Sequence, residues 1–256
     1  MTNTTPVIWL AVPCLQDNYS WVVHAKDETI VFDVPEAAPV AAALAERGWH
    51  ADHIVLTHHH ADHIQGVAAL AGPATRIWGN KADAARLPPL TDPLWPGATV
   101  TLAGLRIEVL DAPGHTLGHV AYHLPGAGLA ITGDSLMSWG CGRLFEGTPA
   151  QMFDTLTRIA ALPADTLICS GHEYTEANGR FALSLEPDHP ALRARMADVQ
   201  ALRAEGRPTL PVPLSLERAT NPFLRSADPL LQAALGLTGA DPLAVFTEAR
   251  ARKDRF

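Results

Sequence analysis

Short apolar runs separated by turn residues dominate the first half of the chain. Residues 7–12, 20–25 and 29–33 carry Val, Ile and Trp between polar breaks, the composition of half-buried strands. Residues 37–47 are alanine-rich with helical spacing and stop at Gly48. A short apolar run, 53–57, predicts a buried strand, and 64–71 predicts a helix after it. Further strands are expected at 76–78, 98–102, 105–110, 119–124, 129–132 and 166–170, with a short helix at 81–87. Thr148-Pro149 supplies a cap and a first-turn proline for a helix running to about Ala161. Strands interrupted by helices imply an α/β fold, with helical layers around sheets.

The pattern changes near Glu173. Residues 174–185 and 190–205 have helical spacing, 206–213 is a proline-rich connection, and 228–256 again reads as helices. A boundary near residue 171 divides the chain into 1–171 and a helical region, 172–256. There is no internal repeat.

Composition narrows the setting. In 256 residues, 47% are hydrophobic and 18% charged, enough apolar matter for a buried core. A net charge of -8 without a basic tract excludes nucleic acid as the expected partner. The three cysteines, Cys14, Cys141 and Cys169, form no CxxC pair, and inert thiols in a reducing cytosol are expected. Residues 1–12 lack a basic start followed by a long apolar run, and no stretch approaches the roughly 20 apolar residues of a membrane span. A cytoplasmic protein, probing no membrane, is the expectation.

Four of the twelve histidines fall in Thr57-His58-His59-His60-Ala61-Asp62-His63. His58, His60, Asp62 and His63 follow a predicted strand. So do His115, in Asp111-Ala112-Pro113-Gly114-His115-Thr116; Asp134, in Thr132-Gly133-Asp134-Ser135; and His172, in Ser170-Gly171-His172-Glu173. Loops at the C-terminal ends of strands converge in α/β proteins. Neutral imidazole and carboxylate suit borderline divalent ions, zinc first, then iron and manganese. Five histidines and two aspartates suffice for two ions if one carboxylate bridges. Such a pair lowers the pKa of a shared water and clamps a carbonyl oxygen. His59 lies between ligand positions and is set aside; His119 is a supporting residue at most.

This set of motifs resembles the metallo-β-lactamase superfamily, whose signature is HxHxDH followed by separate His, Asp and His segments. The resemblance implies an αββα sandwich. It also implies one metal on His58, His60 and His115, a second on Asp62, His63 and His172, and Asp134 as the bridge. Over nearly its whole length the chain is similar to the glyoxalase II (hydroxyacylglutathione hydrolase) family. The segments that carry this are Cys14-Leu15-Gln16-Asp17-Asn18-Tyr19, Gly140 to Thr148, Gly171-His172-Glu173-Tyr174-Thr175, Asn221-Pro222-Phe223-Leu224-Arg225 and Arg250 to Phe256. A C-terminal helical domain is what that family adds to the metal domain.

The resemblance implies that Arg143, Arg250 and Lys253 hold glutathione carboxylates and that Tyr174 contacts the glutathione backbone. It implies hydrolysis of S-(2-hydroxyacyl)glutathione thioesters, S-D-lactoylglutathione giving D-lactate and glutathione, by a metal-bridging hydroxide that Asp62 and Asp134 orient. Some members carry Lys and Tyr where this chain has Arg143 and Phe145; the phenylalanine removes a hydroxyl. Trp139 stands where a small residue is expected. A monomer is expected. The alternatives are a glutathione-persulfide dioxygenase, against which the region 173–256 argues, and another hydrolase of the superfamily.

Overall fold

The computed structural model describes residues 6–256; residues 1–5, the start of the segment read above for a leader, lie outside the described residues. The chain folds as two units. One takes in the described residues up to Asp111 together with Gly118–Gly133, and the other Ala112–Leu117 with Asp134–Phe256.

In the first unit, β1 (Ile8–Cys14), β2 (Asn18–Ala25) and β3 (Glu28–Phe32) form an antiparallel meander. The helix α1 (Ala37–Ala45) returns the chain to β4 (His53–Val55), which lies parallel to β3. Two one-turn helices, α2 (Ala61–Ile64) and α3 (Val67–Leu70), lead to β5 (Arg76–Asn80), and β6 (Asp92–Leu94) closes a six-stranded sheet in sequential order. Parallel pairing of Phe32 with Val55 and Val55 with Trp78 sets the ends of β3, β4 and β5 side by side. A second, antiparallel set follows: β7 (Thr99–Leu102), β8 (Leu105–Asp111), β9 (Val120–Leu124) and β10 (Leu129–Gly133).

One face of the first sheet, through Val12, Val22, Val31 and Ile54, packs on Val40 and Leu44 of α1 and Val67 of α3. Its other face meets the second set of strands, with Phe32 and Tyr122 rings 5.7 Å apart. The Tyr122 hydroxyl donates to the Leu56 carbonyl at 2.6 Å, so the buried phenol is satisfied as it is desolvated. This unit therefore has helix, sheet and sheet in layers.

In the second unit, β11 (Leu136–Met137) and β12 (Gly140–Cys141) make a tight hairpin. The helix α4 (Pro149–Ala160) starts at a complete capping box. Thr148 accepts from the Gln151 backbone N–H, the Gln151 side chain accepts from Thr148 N–H, and together they are worth about 1 kcal/mol. After β13 (Leu167–Ser170) come α5 (Thr175–Leu185) and α6 (Pro190–Ala204). The short β14 (Val212–Pro213) pairs antiparallel with β13. Then come α7 (Leu214–Thr220), α8 (Pro229–Leu235) and α9 (Pro242–Arg255). Phe153, Phe246, Phe223 and Phe181 form a chain of rings at 5.7, 5.8 and 6.2 Å that ties α4, α9 and α5 together. No helix among the described residues is long and apolar enough to cross a membrane.

Two expectations are corrected. The helix expected at 64–71 is interrupted at Gln65-Gly66, because the chain presses there against Val34. A Cβ on Gly66 would stand 2.7 Å from the Ala37 nitrogen and 2.9 Å from the Val34 carbonyl oxygen. At 81–87 only Lys81–Asp83 is helical, as one 3-10 turn capped by the Asn80 side chain.

Candidate metal centre

Within the first unit, β4 ends and the backbone turns at Thr57. Asp33, directly after the neighbouring parallel strand β3, organises that turn. Its carboxylate accepts the Thr57 backbone N–H at 2.8 Å and the Thr57 hydroxyl at 2.7 Å. The same Oδ2 lies 2.8 Å from Nδ1 of His63, and both side chains are buried. An acidic oxygen on Nδ1 fixes the tautomer and turns the Nε2 lone pair outward, the usual arrangement behind a metal-ligating histidine. His58 Nδ1 is in turn 3.0 Å from Thr57 Oγ1. Asp33 adopts a φ of 53°, an uncommon conformation for a non-glycine residue, held by these contacts.

The rings of His58 and His60 are 4.7 Å apart, and those of His58 and His63 4.2 Å. His58 is fully buried and stacks on the equally buried His119 at 4.8 Å. Asp62 is held by Asn18, whose amide donates to its carbonyl at 2.9 Å and to its Oδ2 at 3.1 Å; that Oδ2 is 3.8 Å from His63 Nε2. His59, between the candidate ligands, instead turns to Asp83, at 2.9 Å.

Within the second unit, one oxygen, Asp134 Oδ2, lies 3.4 Å from Nε2 of His115 and 3.3 Å from Nε2 of His172. Two donors of one tetrahedral ion with bonds of about 2.1 Å stand roughly 3.4 Å apart, so the spacing fits shared coordination. His115 Nδ1 donates to the Arg143 carbonyl at 2.7 Å, which leaves its Nε2 as the acceptor. The nitrogen and oxygen donors, with Nδ1 bonded elsewhere at His63 and His115, fit divalent ions.

The same unit holds the four candidate substrate residues. The Tyr174 ring stacks on His172 at 4.6 Å and 10°. Arg250 is 5% exposed: one Nη donates to the Cys141 carbonyl and the other to Asp254, each at 2.9 Å, and the guanidinium lies 5.2 Å from the Phe223 ring centre. Arg143 projects outward, its Nε 3.7 Å from the same Asp254 Oδ1. Lys253 lies between the Phe181 and Phe256 rings, at 5.3 and 5.4 Å, and burial, then the Arg250 and Arg180 charges, bring its pKa down to about 8. Phe145 is exposed, its ring in a T-shaped pair with His115 at 5.3 Å. Trp139 is fully buried and packs in the interior. Burial raises the thiol pKa of Cys14, Cys141 and Cys169, leaving no thiolate nucleophile.

Asp33, Asn18 and the Arg143 carbonyl were not found in the sequence. The available signal for Asp33 was an acidic residue ending a buried strand beside the one that precedes the histidines.

Residues 15–172 match the family profile described as metallo-beta-lactamase superfamily, and residues 173–256 match the hydroxyacylglutathione hydrolase C-terminus. A hydroxyacylglutathione hydrolase of Rhodobacter capsulatus is 64% identical, with 96% of this chain and 97% of that protein covered. One from Ruegeria pomeroyi is 55% identical, over 98% and 100%. Among solved structures, ETHE1 from Myxococcus xanthus superposes with a TM-score of 0.62 at 24% identity, covering 97% of this chain and 98% of that one, a likeness of fold. The fold is thus the metallo-beta-lactamase fold with an added helical segment, and the chain belongs to the hydroxyacylglutathione hydrolase family of the metallo-beta-lactamase superfamily.

Proposed function

We propose that the chain hydrolyses S-(2-hydroxyacyl)glutathione thioesters, S-D-lactoylglutathione yielding D-lactate and glutathione. One observation carries this reading: Asp134 Oδ2 faces two imidazoles within the unit that also carries Tyr174, Arg143, Arg250 and Lys253. Three of the seven candidate metal donors thus belong to the same folding unit as the candidate anion-binding groups.

By the family pattern, His58, His60 and His115 would hold one divalent ion and Asp62, His63 and His172 a second, with Asp134 available to both. Zinc is the first choice, and iron and manganese suit the same donors. When bound, the ions lower the pKa of a shared water toward ~7 and polarise the thioester carbonyl. Asp62, steadied by Asn18, and Asp134 orient the attacking water through their carboxylate oxygens. Asp33 keeps His63, and through Thr57 also His58, in the tautomer that presents Nε2. Arg143, Arg250 and Lys253 receive the glutathione carboxylates by charge-assisted hydrogen bonds. Tyr174, aligned by its stack on His172, contacts the glutathione backbone. Phe145 offers an apolar ring edge where a tyrosine would add a donor, so this site binds with one hydrogen bond fewer.

Along the sequence, 1–171 is the mainly metal-bearing segment and 172–256 the helical, mainly substrate-binding segment, with His172 supplied as a ligand by the second and Arg143 as a substrate residue by the first. Three free, buried cysteines suit a reducing cytoplasm, and the protein acts as a monomer. The dioxygenase alternative is not favoured, because residues 173–256 match the hydrolase C-terminus.

The test is loss of thioester absorbance when metal-loaded protein meets S-D-lactoylglutathione, for wild type and for Arg250→Ala/Lys253→Ala. Hydrolysis by wild type, and a raised KM with metal content retained in the double variant, support the reading. No hydrolysis by fully loaded wild type overturns it.

A further inference from the structure

Between Asp134 and Arg143 the chain makes the hairpin β11–β12, turning through Ser138 and Trp139. Trp139 has a φ of 60°. Two-residue hairpin turns need positive φ, but Gly, Asn or Asp normally supply it, and a bulky residue there costs about 1 kcal/mol or more. A tryptophan persists only where its surroundings determine it.

Those surroundings come from the helical segment. Trp139 N–H donates to Glu217 Oε2 at 2.8 Å, and its indole N–H to the Thr220 carbonyl at 2.9 Å. The Arg195 guanidinium lies 4.5 Å from the indole centre, pairs with Glu217 Oε1 and donates to the Ser138 hydroxyl at 3.0 Å. Gly179 lies so close that a Cβ there would stand 2.6 Å from Trp139 Cζ3. The Asn221 amide donates to Gly140 and Met137 carbonyls at 3.0 and 3.3 Å and to Glu217 Oε2 at 2.8 Å. Asn178 donates to the Ser138 carbonyl at 3.0 Å. Glu217 and Asn221 are fully buried and Arg195 is 5% exposed.

The two ends of this clamped hairpin meet candidate ligands. Asp134 lies two residues before it, and Gly142 crosses so closely over Asp134 that a Cβ would collide with the Asp134 carbonyl oxygen; Gly142 N–H donates to Ser135 O at 3.1 Å. Just beyond Gly142, the Arg143 carbonyl accepts a hydrogen bond from His115 Nδ1–H. We infer that Glu217, with Arg195 and Asn221, is a positioning residue for Asp134 and His115, acting through the Leu136–Cys141 hairpin. The helical segment thereby builds part of the metal centre in addition to binding substrate. A buried ion pair is a poor source of stability, since apolar residues of equal volume often do as well; it does fix one geometry for the groups bonded to it. The inference rests on the proposed ligand roles of Asp134 and His115.

The test compares Glu217→Gln with Glu186→Gln. Glu186 is also buried and paired, to Arg225 at 2.7 Å, but touches neither the hairpin nor a ligand. Zinc affinity is read by chelator competition, and kcat and KM with S-D-lactoylglutathione. Glu217→Gln is expected to weaken zinc binding about 10–100-fold, as outer-shell changes do, and to lower kcat with KM within about threefold of wild type. Glu186→Gln is expected to lose thermal stability and keep its zinc affinity. Equal zinc affinity in Glu217→Gln and wild type overturns the inference, as does an equal loss in Glu186→Gln. Should Glu217→Gln not fold, Trp139→Phe, which keeps the backbone N–H bond to Glu217 but removes the indole bond to Thr220 and part of the ring over Arg195, carries the same comparison. Because zinc affinity is measured without turnover, a chain that binds zinc but hydrolyses no thioester refutes the proposed activity and leaves this inference standing.

Discussion

Oδ2 of Asp33 lies 2.8 Å from Nδ1 of His63, with both groups buried. The carboxylate has no role as the sequence motif is written, yet by holding Nδ1 it leaves Nε2 as the nitrogen that would be offered to an ion. Asp33→Ala is expected to reduce zinc affinity about 10–100-fold, measured by chelator competition, and to destabilise the turn at Thr57 through the two lost acceptors. Unchanged zinc affinity would remove Asp33 from the account.

Asp134 Oδ2 serves both His115 and His172. Asp134→Ala is expected to lower bound zinc from two ions per chain to one or fewer, read by elemental analysis. Turnover should fall by about two orders of magnitude or more, the scale of losing several kcal/mol of charge stabilisation. Two ions retained at full activity would exclude a bridging role.

How far the sequence reveals this site depends on how local each relationship is. The ligand types and their positions after strands are legible because chemistry restricts them to His and Asp and because apolar runs mark the strands. Asp33 is hidden because its partner lies thirty residues on, and the contact exists only through the parallel pairing of β3 with β4. Trp139 is hidden for a similar reason: nothing near it in sequence announces Arg195, Glu217 and Asn221, which close around it from two later helices and a turn. The fold reads well where periodicity has room, as in α4 and α6. It fails at β14, two residues with a proline, and at Gly66, where backbone contact with Val34 interrupts a helical pattern.

Asp254 occupies the space between Arg250 and Arg143, its Oδ1 at 2.9 and 3.7 Å. Arg250 is anchored independently by the Cys141 carbonyl and the Phe223 ring, so removing the acid leaves it in place. Asp254→Asn is expected to lower KM for S-D-lactoylglutathione about two- to fivefold, the range of a partly exposed ion pair, with kcat unchanged. A raised KM would instead make Asp254 the group that orients the arginines.

Lys253, with a pKa lowered to about 8 chiefly by burial, carries its charge at neutral pH and loses it in mildly alkaline solution. Affinity for an anionic glutathione thioester should therefore fall as pH rises through about 8, seen as a rising KM limb. Lys253→Arg should abolish that limb, because a guanidinium stays charged. The sign for stability is opposite. With the folded pKa below the unfolded value near 10.4, the unfolded chain binds more protons between the two values, so Lys253 disfavours folding below about pH 8 and this effect is relieved as pH rises toward 10.4. A KM that is flat with pH would show that Lys253 does not meet the substrate.

The most direct measurement of the central claim is kcat/KM of the zinc-loaded chain for S-D-lactoylglutathione beside the same D-lactoyl thioester of N-acetylcysteamine. The second has the scissile bond and neither glutathione carboxylate. Both are expected to be hydrolysed, with kcat/KM at least tenfold higher for the glutathione thioester and that preference lost in Arg250→Ala/Lys253→Ala. Equal kcat/KM for the two thioesters, or no hydrolysis of either by a chain holding two ions, would contradict it.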